Sequence, residues 1–246
     1  MLNVAKALFI GSLVFSALFF TELLSLGESV VPGVLAAIAL YYFLARRSFK
    51  AVEGIFQESM VYLQKQPPKF ELAITLMEKA YAHAKHQIGI RTTVDNQIGV
   101  TYFLKQDFNK ALPYLQRSLG FGHWMGGAML GVIHYKKKNH EEMRKTFDIV
   151  VKRGKKQGLA WSLYAYLLCQ IGERDTAISI LSQGVKKTKE DERVKECLLA
   201  VQNGKKMKMR AYKEQWYQFH LERPPVQYQQ AVMGGKMNKG ARRGRW

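Results

Sequence analysis

The sequence predicts an all-α chain in three parts: an N-terminal transmembrane helical hairpin (residues 1–47), an α-solenoid of stacked helix pairs (48–222) and a disordered basic tail (223–246). Three observations predict it. The first 45 residues hold one basic residue, Lys6, and two acidic ones, Glu22 and Glu28; of the chain's 38 basic and 19 acidic groups, 37 and 17 therefore lie after Ala45. From Phe49 onward, apolar residues recur at i, i+3, i+4 and i+7, the spacing of helices with one buried face, and no stretch alternates convincingly as a strand would. One position returns along the body at 73, 111, 143, 177 and 211, in steps of 38, 32, 34 and 34, and is alanine at all but Met143. An apolar head is thus joined to a strongly basic, periodic body.

Ala7 to Leu26 is a run of 20 almost wholly apolar residues. At about 1.5 Å per helical residue it covers the roughly 30 Å of a hydrocarbon core. Glu22, near its end, belongs at the interface, because an ionised carboxylate at mid-bilayer is costly. Gly27-Glu28-Ser29 is the expected turn. The second run, Val30 to Ala45, is shorter and carries Pro32-Gly33 near its start, where the first turn of a helix tolerates the missing N–H. Tyr41, Tyr42, Arg46 and Arg47 follow as an interface anchor, the arginines reaching to the headgroups. Lys6 and the Arg46-Arg47-Lys50 cluster share one end of such a hairpin, and the positive-inside rule assigns that end to the cytoplasm, at a bacterial inner membrane or its equivalent. A cleaved signal peptide followed by one span is the competing organisation. A single lysine before the apolar run and the lack of an A-x-A site near Leu26 weigh against it. The short second run also suits a buried or interfacial helix.

In the body, turn signals punctuate the helical pattern at Pro67-Pro68, Lys105-Gln106-Asp107, Lys138-Asn139, Gly172 to Asp175 and Asn203-Gly204. Phe49–Gln64 follows the second apolar run directly and is expected to be the first repeat helix. Lys205–Leu221, with Tyr212, Trp216, Tyr217 and Phe219, is the expected closing helix. Around the centre, Gly99 and Ala111 lie twelve residues apart, so that two antiparallel helices can touch, with Ile98, Tyr102 and Leu115 filling the space beside them and Ser118 completing the pattern. Cys169 and Cys197 form no C-x-x-C or framework spacing and read as small apolar residues in helix packing.

These offsets resemble the tetratricopeptide repeat (TPR), which has a small residue on its first helix, an alanine twelve residues later, a large apolar residue four further on and a small one after three more, in a period of about 34. Ala73, Met77 and Ala80 reproduce the second half of the pattern upstream. Leu130-Gly131, Phe147 and Val150 follow downstream with Met143 in place of alanine; then come Trp161, Tyr164-Ala165, Ala177 and Leu181, and a weaker unit with Leu198-Leu199, Ala211 and Trp216. The resemblance covers about residues 51–221 and implies a partner-binding scaffold without identifying the partner. Carried over by position, the family's concave groove implies Tyr62, Phe103, Tyr135 and Tyr166 as aromatic walls, with Asn96 and Ser162 as polar neighbours. The Lys/Asn/Arg set that clamps a peptide carboxylate in some members is not reproduced. An extended or helical peptide with apolar anchors would suit such a groove, while the same stripe would also serve as ordinary inter-repeat core.

Three basic runs stand out: Lys136-Lys137-Lys138 at a turn, Arg153 to Lys156 with Lys155 between, and Lys205 to Lys213. Beside a membrane span they would attract anionic lipid, and they would equally attract RNA phosphates; each also suits a solvated face. After Pro224-Pro225 the tail has no acidic residue and ends in glycines with Arg242, Arg243, Arg245 and Trp246, an arm suited to ordering on lipid, RNA or protein.

No enzyme signature is present: no Walker loop, H-E-x-x-H, nucleophile elbow or Cys/His metal cluster. Gly120 to Gly126 misses the dinucleotide fingerprint by one residue and follows a helix, and His83 and His86 lack a third ligand. No catalysis, metal or cofactor is therefore expected. The function implied is a membrane-anchored scaffold that recruits a protein partner to the cytoplasmic face, with membrane lipid as a second contact. The alternative is a membrane-associated RNA- or ribosome-binding tether that uses the basic runs and the tail. A structural subunit of a larger membrane machine is a third organisation open to the same sequence.

Overall fold

Ser25 and Glu28 decide where the second helix begins. In a computed structural model, which describes residues 1–225, the Glu28 carboxylate accepts hydrogen bonds from the Ser25 backbone N–H at 3.0 Å and from its hydroxyl at 2.7 Å. This capping arrangement starts helix α2 (Leu26–Leu63) immediately after Ser25. The turn after α1 (Leu2–Phe20) therefore falls at residues 21–25 rather than at Gly27-Glu28-Ser29, and Pro32 lies inside α2 rather than in its first turn. Both helices are long and apolar enough to cross a membrane.

Small residues set how closely they pack. A Cβ added at Gly11 would lie 2.7 Å from Ala37 Cβ, and one at Gly33 would lie 2.9 Å from the Gly11 carbonyl oxygen. The pair can approach this closely only with glycine at both sites. The outer faces carry exposed Leu8, Phe9, Leu13, Leu35, Ile38 and Phe43. Past Ala45, α2 does not stop. It runs through Arg46 and Arg47 to Leu63 without a break, so the boundary expected at residue 47 falls inside a helix of 38 residues, about 57 Å long.

The chain forms two compact units, Met1–Arg153 and a second beginning at Gly154. In the first, the N-terminal end of the hairpin is tied to the body. The Met1 ammonium donates to the Lys85 carbonyl, Asn3 N–H donates to His86 O at 3.0 Å, and Asn3 Nδ2 donates to Ser48 Oγ at 3.0 Å and Gln87 Oε1 at 3.3 Å. Gln87 Nε2 in turn donates to Tyr41 Oη at 2.7 Å. The body of this unit continues with α3 (Phe70–Glu78), a 3-10 turn (Lys79–Lys85), α4 (Ile90–Leu104), α5 (Phe108–Ser118), α6 (Trp124–Lys136) and α7 (His140–Arg153). The second unit holds α8 (Gly158–Gln170), α9 (Arg174–Lys187), α10 (Glu192–Gln202), a 3-10 turn (Met209–Tyr212) and the single turn α11 (Glu214–Tyr217). The described residues are all-helical, without strands.

The same local device joins each pair. Gln106 and Lys138 turn the chain with φ of 68° and 57°, as does Gly172 at 87°. The residue after the first two is a capping side chain: Asp107 accepts from Lys110 N–H at 3.2 Å and Asn139 from Glu142 N–H at 3.3 Å. Inside the pairs, glycines admit large side chains, Gly99 against Leu115 and Gly131 against the Phe147 ring. Ala111, Met143 and Ala177 are all fully buried, so Met143 keeps the interior role of the position although it is not small.

The expected closing helix over Lys205–Leu221 does not form; residues 205–208 are irregular and only two short turns follow. The reason is electrostatic and local. Gly204 has the turn conformation, at φ 70°, but a lysine stands where the cap should be. Lys205, Lys206, Lys208 and Arg210 would crowd positive charge at a helix N-terminus, which the helix dipole disfavours. Of the expected tail, everything after Pro225 lies outside the described residues.

Two glycine substitutions should act in opposite directions. Gly99→Val drives a branched side chain into Leu115, where even a Cβ would sit 2.8 Å from Cδ2 and 3.1 Å from the backbone nitrogen; a loss of about 1–3 kcal/mol is expected. Gly54→Ala, on the exposed body half of α2 with nothing near an added Cβ, should gain about 1 kcal/mol from helix propensity. Denaturant titration of the full-length protein in detergent, followed by far-UV circular dichroism, measures both.

Candidate partner-binding surfaces

Of the six residues expected to line one groove, Tyr62, Asn96, Phe103 and Tyr135 belong to the first unit and Ser162 and Tyr166 to the second. Phe103 is fully buried, with its ring 5.1 Å from the ring of Phe108, so it belongs to the core. Asn96 is buried as well; its Oδ1 has no hydrogen-bond partner and lies so close to Gly122 that a Cβ there would be 2.9 Å away. Both sit on α4, whose inner and outer faces are covered alike. Residues 126–134 of α6 are buried without interruption for the same reason.

Ser162 and Tyr166, one turn apart on α8, are covered by the chain itself. Ser162 Oγ lies 2.9 Å from Tyr212 Oη, in a buried hydrogen bond, and the Tyr166 ring meets Trp216 edge-on at 4.9 Å. Met209, Tyr212, Trp216 and Phe219 are all buried. Two side chains from the C-terminal segment, Tyr212 and Trp216, therefore occupy the face of α8 that the expected groove leaves to a ligand. Burial pushes the Tyr212 hydroxyl pKa up, and the Arg193 guanidinium stacks over its ring at 4.8 Å. Arg193 is itself held by Asp191, at 2.8 Å, which keeps that carboxyl below the usual range. Burial likewise raises the Cys197 thiol to about 11, the behaviour of a packing residue rather than a reactive one. Beside the segment an open cleft of about 500 Å³ is lined by Tyr166, Cys169, Arg174, Lys205, Lys206 and Glu222. Arg174 is engaged there, donating through Nε to the Val201 carbonyl at 2.9 Å.

Tyr62 and Tyr135 remain half-exposed, at the ends of α2 and α6. These ends belong to one edge of the first unit, where each helix turns back into the next. Lys65 Nζ lies 4.8 Å over the Tyr62 ring, Lys105 pairs with Glu71 across α4 and α3, and Lys136 Nζ lies 5.1 Å from the Phe108 ring across α6 and α5. Lys137 and Lys138 extend this edge as exposed residues, and partial burial against the ring draws the Lys136 pKa down. The result is a lysine-rich edge with two accessible tyrosines, interrupted by Glu71, Asp107, Glu141 and Glu142. Arg153 belongs to the first unit and donates to the Gly122 carbonyl at 2.8 Å, whereas Lys155 and Lys156 open the second unit as exposed residues. Arg242, Arg243, Arg245 and Trp246 lie outside the described residues.

A further cluster has no counterpart among the sequence expectations. The Asp95 carboxylate, only 4% exposed, accepts from Tyr81 Oη at 2.6 Å and from Arg117 Nη2 at 2.9 Å. Arg117 also stacks over Tyr114 at 4.6 Å, and Tyr114 on Tyr102 at 5.7 Å. Burial and the bond to Asp95 raise the Tyr81 pKa, so its proton stays in place. An acidic residue in the buried register of α4 was the available signal, because such a group requires a cation or several donors. Among the described residues no group of three or more His, Cys, Asp or Glu side chains is placed to hold a metal. Comparison with family models, curated proteins and solved structures finds no match to this chain.

The C-terminal segment is held mainly by its aromatic residues, so Trp216→Ala should remove about 3–5 kcal/mol from the packing of the second unit. Limited proteolysis of the full-length protein checks this. Cleavage between residues 204 and 222 should become many times faster, with sites in 70–150 unchanged.

Proposed function

We propose that the chain is a membrane-anchored scaffold of the TPR type. Its hairpin lies in the membrane, its helical body lies on the cytoplasmic side, and the lysine-rich edge around Tyr62, Tyr135 and Lys136–Lys138 recruits an acidic protein segment. The observation that carries this reading is the continuity of α2, one helix of 38 residues that is apolar in its first half and amphipathic in its second. An unbroken helix needs no linker and holds the body at a set height above the bilayer. The 18 residues from Arg46 to Leu63 place the edge about 27 Å from the end of the apolar run. An edge so far from the headgroups is free to meet a soluble or peripheral partner.

Charge pattern favours a protein over a nucleic acid at this edge. Continuous phosphates require a track of cations, and Glu71, Asp107, Glu141 and Glu142 interrupt this one. An acidic peptide with an aromatic or apolar anchor tolerates such interruptions, since each lysine acts on a separate carboxylate and the tyrosines supply contact area. The inner face of α8 is not part of the proposed surface, because Tyr212 and Trp216 occupy it. Nothing in the reading calls for catalysis.

The test is affinity purification of the detergent-solubilised protein, comparing wild type with Lys136→Glu/Lys137→Glu/Lys138→Glu and with Tyr135→Ala, each with and without nuclease. The triple variant should lose a defined set of proteins by tenfold or more and Tyr135→Ala should lose the same set in part, both independently of nuclease. Retention of mainly ribosomal or RNA-bound material that disappears on nuclease treatment would replace the scaffold with an RNA tether.

A further inference from the structure

We infer that the opposite edge of the first unit, formed by residues 85–91 and 119–125, rests on the surface of the same bilayer and inserts Phe121 among its headgroups. The inference rests on the hairpin being in the membrane and concerns a surface that the scaffold proposal leaves unused.

Chain direction places this edge. Lys85, His86 and Gln87 are hydrogen-bonded to Met1 and Asn3 at the start of α1 and, through Gln87, to Tyr41 of α2. This is the level at which the apolar part of the hairpin ends. From there α4 leads away and α5 returns, so the α5–α6 connection at 119–123 comes back to the side of residues 85–91. α6 leads away again and α7 returns, and the Arg153 guanidinium closes the edge by donating to the Gly122 carbonyl at 2.8 Å.

The composition of this edge is that of an interface. Phe121 is 89% exposed and Ile88 is 55% exposed, and a half-buried Trp124 follows at the start of α6. A soluble loop gains nothing by holding a phenylalanine ring almost wholly in water, whereas a ring at headgroup level is stabilised. Residues 83–93, 116–127 and 149–153 contain no aspartate or glutamate and do contain Lys85, Arg91, Lys152 and Arg153. The far edge, by contrast, interleaves lysine with four carboxylates. An edge of cations and exposed apolar side chains without acidic groups is complementary to anionic lipid, each cation near the surface contributing about 1 kcal/mol.

The test uses the full chain in vesicles of phosphatidylcholine, with and without phosphatidylglycerol, and a Cys169→Ser/Cys197→Ala background. A fluorophore is attached at Gly120→Cys, an exposed site where an added Cβ meets nothing within 4 Å and Phe121 is left intact. Matched labels are placed at Lys137→Cys on the far edge and at Leu35→Cys in the hairpin. Quenching by a lipid with a nitroxide headgroup should be several times greater at position 120 than at 137, should rise with phosphatidylglycerol, and should fall to the level of 137 when Phe121→Glu is added. Quenching at 120 equal to that at 137, with Leu35 shielded from water and quenched by acyl-chain nitroxides, would overturn the inference and leave the hairpin standing. A label at Leu35 that is open to aqueous quencher would overturn both.

Discussion

Asn3 joins the hairpin to the helical body. It is almost fully buried on a largely apolar helix, and an amide in that position is costly unless its groups are paired. Here the backbone N–H goes to His86 and the side chain to Ser48 and Gln87, and Gln87 continues to Tyr41. One small polar cluster therefore connects α1, both halves of α2 and the loop before α4. Removing any member leaves its partner short of one hydrogen bond, most costly at the buried amides of Asn3 and Gln87. The position of the helical body relative to the hairpin depends on this cluster and on the absence of any break in α2. Together they make the hairpin continuous with the body, without a linker between them.

Continuity in the first unit is matched by closure in the second. An apolar helix face left open to water has to be covered. The second unit covers α8 without a regular helix, setting Tyr212 and Trp216 against it while Met209 and Phe219 are buried beside them in the same segment. Aromatic side chains suit this, because each buries a large area with few ordered torsions. Arg210 and Lys213 between them are exposed, and the backbone of Lys213, at φ 51°, interrupts the helical path. The same face of α8 cannot then serve as an open groove.

Much of the architecture was legible in the residues. Gln106-Asp107 and Lys138-Asn139 mark turns whose geometry follows from a left-handed residue and a capping side chain, and the close approaches at Gly99 and Gly131 follow from spacing alone. Other features were hidden by a stronger signal. Hydropathy directed attention to Val30 as the start of the second run, although Ser25 and Glu28 form a cap five residues earlier. The repeat register carried over from the family singled out Phe103 but could not distinguish an inner surface from an inter-helix core, since α4 and α6 are buried over most of their length. The Asp95 cluster depends on partners 14 and 22 residues away. Such pairings follow from packing and leave no local pattern.

The two edges of the first unit differ for a reason that the helix connections supply. Each helix runs from one edge to the other, so every second connection falls on the same side. The connections near residues 87 and 121 therefore share the side of the hairpin's exit, and those near 66, 106 and 138 share the other. With the hairpin in a bilayer, as proposed, a carboxylate on the near side would face anionic headgroups and an exposed phenylalanine would find an apolar layer, whereas the far side would face water, where mixed charge keeps a surface soluble. The observed residues follow this division, with Phe121 and Ile88 and no acidic residue in 83–93 or 116–127 on the near edge, and lysines alternating with Glu71, Asp107, Glu141 and Glu142 on the far one. A body free to rotate on a flexible linker would gain nothing from such a difference between its edges. The asymmetry is what a body held in one orientation by α2 requires.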